Sequence, residues 1–84
     1  MERKTYVIAV RPGGQPQVTV LGPSGALSAV EPGTSLPHIV QASAAWLSAL
    51  ADKRPLPPGA PPPVVIAPRH QGESFMALVS HGED

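Results

Sequence analysis

Apolar residues fall into five short runs and one longer segment with helical spacing. The short runs are rich in branched aliphatic and aromatic residues, which is typical of strands. They cover residues 5–10, 17–21, 26–30, 64–67 and 74–80. The first run is apolar on both faces, so we expect this strand in the middle of a sheet.

The longer segment predicts one amphipathic helix, because its apolar positions recur every three or four residues. The stripe consists of Leu36, Ile39, Val40, Ser43, Trp46, Leu47 and Leu50. We predict an N-cap at Thr34 and Ser35, with Pro37 in the first turn, where a missing amide does no harm. Trp46 is expected in the core, and Pro55 is expected to end the helix.

Proline positions support this division of the chain. Twelve prolines are present, yet none lies between residues 38 and 54, so a helix can form there. The composition of residues 55–63 predicts an extended connector that returns the chain to the sheet. Alternatively, this segment is itself a ligand that binds an aromatic-lined groove of another protein. Residues 81–84 are expected to form a flexible tail.

The element order is therefore β-β-β-α-β-β within a single domain, residues 1–84. One helix with one apolar stripe needs one apolar surface, which an antiparallel sheet supplies. We predict an α+β fold in which a small antiparallel sheet carries one amphipathic helix on one face. So short a chain buries only about 60% of its unfolded surface, and a partner or a second copy would stabilise it.

Charge and composition exclude several classes of protein. Six basic residues balance six acidic ones, whereas a nucleic-acid-binding protein normally has a basic excess. Direct nucleic-acid binding is therefore disfavoured. The chain has no cysteine, and no apolar run suits a signal peptide or a membrane span. We expect a cytoplasmic protein without membrane contact.

No motif indicates catalysis or a cofactor. The three histidines, His38, His70 and His81, match no zinc-binding spacing. Neither Ser74 nor Ser80 lies in a nucleophile elbow. The glycines that follow Arg11 precede a strand rather than a helix, so they predict a hairpin turn and not a phosphate loop. We expect a non-enzymatic protein with no metal or cofactor.

The outer face of the helix is the best candidate for a protein contact. It is rich in alanine and serine and has almost no charge, which lets another surface approach closely. The alternative is an alanine-rich helix selected for its propensity. The candidate partner-binding residues are Gln41, Ala45, Ser48, Ala49 and Asp52 on the helix, with Arg69 and His70 in the last hairpin loop.

The layout resembles the HicB-like antitoxin domain over residues 5–58. The resemblance lies in a first strand and glycine turn, a turn at residues 23–25, a helix start at Gly33 and Thr34, and a Pro-Leu-Pro exit at residues 55–57. This helix is less acidic and shorter than the family's. A further hairpin replaces the family's DNA-binding segment, so the resemblance implies binding of a toxin-type partner rather than of an operator.

Two functions follow from these observations. The first is a small inhibitor that occludes one protein partner, a nuclease or a nucleic-acid-handling complex, as an antitoxin or a phage anti-CRISPR protein does. Proteins of the anti-CRISPR type are similar in scale only. The alternative is a structural subunit that self-associates, at least as a homodimer, through a sheet edge or the helix face.

Overall fold

The structure, a computed structural model, describes residues 3–31 and 33–82. Within these ranges five strands and one helix follow in the predicted order. They are β1 (Arg3–Val10), β2 (Gln17–Leu21), β3 (Leu27–Ala29), α1 (His38–Ala51), β4 (Val64–Ile66) and β5 (Phe75–Gly82). The predicted α+β fold, an antiparallel sheet with one helix, is confirmed. The helix is too short to cross a bilayer, and no other helix lies in the described ranges.

The strands form one sheet in the order β3-β2-β1-β5-β4, with every neighbouring pair antiparallel. β1 lies in the centre, as its apolar pattern predicts. β5 pairs with it along its full length, so that Gly82 lies opposite Arg3 and His81 opposite Lys4. The tail predicted over residues 81–84 is therefore wrong for His81 and Gly82, while Glu83 and Asp84 lie outside the described residues.

The core lies between the helix and one face of the sheet. The helix contacts β1 and β5, the two long strands. The core cluster consists of Tyr6, Ile8, Val10, Ala77 and Val79 from the sheet with Val40, Leu47 and Ala51 from the helix. Alternate residues of each strand point to this face, so the remaining residues point to the opposite face.

The helix begins later than the sequence predicted. Pro37 is its N-cap, with φ −55° and ψ 148°, and no side chain caps the first turn. Proline also disfavours helical geometry in the residue before it, which separates Thr34 and Ser35 from the helix. The N-cap predicted at Thr34 and Ser35 is therefore wrong. The Pro37 carbonyl accepts the first helical bonds from the amides of Val40 and Gln41.

Two residues of the predicted stripe lie at its margin. Ile39 is 44% exposed, and Trp46 is half-buried and outside the core cluster. Residues seven apart on a helix lie nearly above one another, so these two share one flank of α1. The expectation that Trp46 presses on the sheet is wrong, because the sheet contacts the neighbouring stripe through Val40 and Leu47.

The helix ends in a Schellman motif formed by residues that are not glycine. The Lys53 amide donates to the Leu50 carbonyl at 3.2 Å, and the Arg54 amide donates to the Ala49 carbonyl at 2.9 Å. These bonds require a left-handed residue, and Lys53 has φ 55°. A residue with a Cβ atom pays about 1–2 kcal/mol for this conformation.

We therefore expect Lys53→Gly to raise the free energy of unfolding by about 0.5–1 kcal/mol, because glycine adopts positive φ without that penalty. Urea denaturation followed by Trp46 fluorescence measures the change. Lys53→Ala is the control, since it removes the same charge but keeps the Cβ atom. Equal effects of the two variants would show that charge, and not backbone conformation, limits stability here.

Candidate interaction surface

The structure does not bring His70 and His81 together. His38 is the first residue of the helix, and His70 lies in the loop between β4 and β5. His81 lies near the end of β5, opposite Lys4, so the full strand separates it from His70. In residues 3–31 and 33–82 no three His, Asp or Glu side chains are grouped to hold a metal ion.

The glycine-rich segment after Arg11 is a hairpin turn, as predicted. The Gly14 amide donates to the Arg11 carbonyl at 2.9 Å, and Gly13 has φ 77°. The Gly13 amide donates to Oδ1 of Asp52 at 2.7 Å, which connects this turn to the end of the helix. An acidic residue is unfavourable at a helix C-terminus. The hydrogen bond to Gly13 offsets that cost, and it gives Asp52 a structural role.

The other predicted helix residues differ in exposure. Gln41 and Ala45 are exposed, although the Gln41 amide group donates to the Leu36 carbonyl at 2.8 Å. Ser48 is half-buried and accepts a hydrogen bond from Arg54 at 3.2 Å. Ala49 is only 1% exposed, so its prediction as a contact residue is wrong. The structure therefore leaves a smaller free helix surface than the sequence pattern indicated.

Ala49 lies on the side of the helix away from the core stripe, since it is displaced by about half a turn from Val40 and Leu47. The sheet cannot bury it there. The chain turns back at the last turn of the helix, where the Arg54 amide donates to the Ala49 carbonyl. Within the connector, Pro62 is buried and Pro57 is half-buried, so this segment packs against the rest of the protein.

The remaining two predicted residues, Arg69 and His70, are exposed in the β4–β5 loop. They line a surface depression of about 630 Å³ together with Arg11, Ile66 and Met76. Because Ile66 and Met76 are paired residues at the ends of β4 and β5, this depression opens onto the sheet face opposite the helix. Arg69 and His70 also line a second depression with Ala51 and Lys53, so they lie between the open side of the sheet and the C-terminal end of the helix.

That opposite side of the sheet is apolar and uncovered by any described element. We call it the open sheet face and define it by six large side chains that share it through the strand register: Leu21, Leu27, Val64, Ile66, Met76 and Leu78. Three of these residues are about half exposed: Leu27 (55%), Ile66 (48%) and Val64 (46%). The other three are partly buried.

The centre of the open sheet face has no charged side chain. Val7 lies in the middle, flanked by Thr19 on β2 and Leu78 on β5. By strand register, Arg3 is at one end of β1 on this face, and Arg11 follows the other end. An apolar centre with charge confined to its margin is typical of protein interaction surfaces.

Comparisons of the chain with protein-family models, with curated proteins and with solved structures found no match. The interpretation of this surface therefore depends on the chain's own geometry.

Proposed function

We propose that this protein is a small non-enzymatic binding module that docks on one protein partner through the open sheet face. The observation that supports the proposal is the group of large apolar side chains on the side of the sheet without a helix, among which Thr5, Gln17, Thr19 and Ser80 are the polar residues. Its three most exposed members are Leu27, Val64 and Ile66, which lie on both edge strands of the sheet. The surface therefore extends over the whole width of the molecule.

The energetics favour coverage of this face by another surface. Burial of apolar area contributes about 25 cal/mol per Å², and a soluble monomer rarely leaves large aliphatic side chains contiguous and exposed. The outer helix face offers mainly the small residues Ala42 and Ala45 with Gln41, and the large apolar residues on its flank are Ile39 and the half-buried Trp46. We therefore assign docking to the sheet, and the helix remains the second candidate surface.

The more specific proposal is that docking inhibits the partner, a nuclease or a nucleic-acid-handling complex, by occluding its working surface in the cytoplasm. The HicB-like layout of residues 5–58 supports it, as does the absence of a catalytic motif from the sequence. The balanced charge argues against a nucleic-acid mimic, which would need an acidic surface. Occlusion would therefore act through apolar contact beside the nucleic-acid path.

The test compares two variants in which an isoleucine is replaced by lysine. Ile66→Lys places a charge on the open sheet face, and Ile39→Lys places the same charge on the helix, where exposure is nearly equal (48% and 44%). We expect cross-linking in the native host to recover a partner with the wild type and with Ile39→Lys. Recovery with Ile66→Lys should fall at least about tenfold, because it removes a large apolar contact and introduces an unpaired charge into the interface.

Ala45→Glu extends the comparison to the outer helix face. If Ala45→Glu abolishes recovery and Ile66→Lys does not, docking uses the helix, and the assignment to the sheet is wrong. The inhibitory proposal needs a second assay with the recovered partner. Its nuclease activity should fall in proportion to added wild-type protein up to one equivalent, and unchanged activity would contradict inhibition.

The alternative function is self-association as a structural subunit. The structure favours the open sheet face as its contact, rather than the sheet edge or the helix face expected from the sequence. If this alternative holds, cross-linking in the native host should join copies of this protein to each other and to no other protein.

A further inference from the structure

Both edges of the sheet are poorly suited to extension by another strand. The edge strands β3 and β4 have three residues each. Proline residues 61–63 immediately precede β4, and Pro68 follows it by two residues; Pro23 precedes β3. Short strands flanked by proline block edge-to-edge pairing. Association through the sheet would therefore use its open face and not its edges.

The open sheet face is suited to stacking on a copy of itself. It is a single layer of pleated strands, and packed sheets lie about 10 Å apart with their side chains interleaved. Small residues separate the large ones: Ala9 lies beside Met76, and Ala29 lies beside Thr19. Large side chains of one copy can occupy the positions above small residues of the other. Because the centre has no charge, no two-fold arrangement buries a charged group there.

The size of the face sets the strength of such a contact. Five strands about 4.8 Å apart span roughly 24 Å, and the strands average about 18 Å in length. This footprint of roughly 400–500 Å² per copy, or about 800–1,000 Å² for both, lies below the roughly 1,200–2,000 Å² of stable specific interfaces and in the range of weak ones. The area is sufficient for a reversible dimer and insufficient for an obligate one.

We propose that two copies of this chain associate face to face through their open sheet faces, forming a two-fold dimer with both helices on the outside. This inference rests on the proposed function in that the same face is the docking surface, and it develops the self-association alternative, in which a second copy occupies that face in place of another protein. The layers would follow in the order helix, sheet, sheet, helix. Stacking also compensates for the small core of an 84-residue chain.

The test is sedimentation velocity of the full chain from about 5 to about 500 µM, because dimerisation follows mass action. The mass should rise from 8.7 kDa toward twice that value. It should rise equally in about 0.5 M NaCl, since salt screens charge pairs but not apolar contact. Ile66→Lys should weaken the dimer about 100-fold or more, because two-fold symmetry places each substitution in the interface twice. Ile39→Lys should leave the dissociation constant within about twofold.

A wild-type protein that remains monomeric at the highest concentration would overturn the dimer, and so would equal effects of the two lysine variants. Binding of an apolar fluorescent dye then separates the two proposals. If the monomer binds dye and Ile66→Lys abolishes that binding, the face remains a free docking surface and only the second copy is excluded. If the wild type neither dimerises nor binds dye, both the dimer and the docking surface are wrong. Circular dichroism confirms that each variant is folded.

Discussion

Leu47→Ala should lower the free energy of unfolding by about 3 kcal/mol. Leu47 is fully buried between the helix and the two long strands, and it is among the largest side chains that are fully buried. The substitution removes its apolar contacts and leaves a cavity that a small, proline-bounded domain cannot close completely. A domain of this length has a total stability of about 4–13 kcal/mol, so the loss is a large fraction of the whole.

Urea denaturation measures this loss as a lower midpoint with an unchanged slope. The matched control is Leu56→Ala, because Leu56 is 49% exposed in the connector and its truncation should change stability by less than about 0.5 kcal/mol. Equal losses at the two positions would contradict the packing of the helix on the sheet. If Leu47→Ala proves too unstable to purify, Leu47→Val gives a smaller step in the same direction.

Local patterns were sufficient to predict the elements. The alternation in residues 17–21 predicted β2 to the residue, and the proline-free interval contained the whole helix. Proline also explains the error at the helix start, because Pro37 is extended and begins the helix rather than lying inside its first turn. The pairing of β1 with β5 joins the two ends of the chain. No local pattern contains that information, so His81 and Gly82 were assigned to a tail.

The open sheet face was missed although the sequence contains a signal for it. The strands at residues 3–10 and 75–82 have apolar residues on both faces, while one amphipathic helix can cover only one of them. A two-sided apolar sheet with a single helix therefore implies a second covering surface. The low charge of the helix predicted an interface on its outer face, where the structure buries Ala49.

The low charge of the outer helix face has two possible causes. The face can bind a partner, or another segment of the same chain can cover it. Ala45 and Ala49 are equivalent by residue type and lie close together on the helical wheel. Ala45 is exposed and Ala49 is buried, and we attribute the difference to the chain after Lys53, which reverses direction at the last turn. The reversal depends on the left-handed conformation of a lysine, which sequence patterns associate with glycine.

These two alanines therefore give a second large prediction. Ala49→Glu should destabilise the protein by about 3 kcal/mol, since it forces a larger side chain and an unpaired carboxylate into a closed site. Ala45→Glu should change stability by less than about 0.5 kcal/mol, because its carboxylate remains in water. Both variants add the same charge to the same helix, so overall charge and helix propensity cancel in the comparison.

Thermal unfolding followed by circular dichroism at 222 nm distinguishes the two variants, because a loss of about 3 kcal/mol lowers the melting temperature of a domain this size by more than about 10 °C. If Ala49→Glu lowers the melting temperature no more than Ala45→Glu does, the connector does not cover the helix. The outer helix face would then be exposed along its full length. Partner binding would then have to be reassigned between the helix and the sheet. If only Ala49→Glu is destabilising, the helix retains a narrow exposed strip around Ala45, and the open sheet face remains the larger apolar surface for docking.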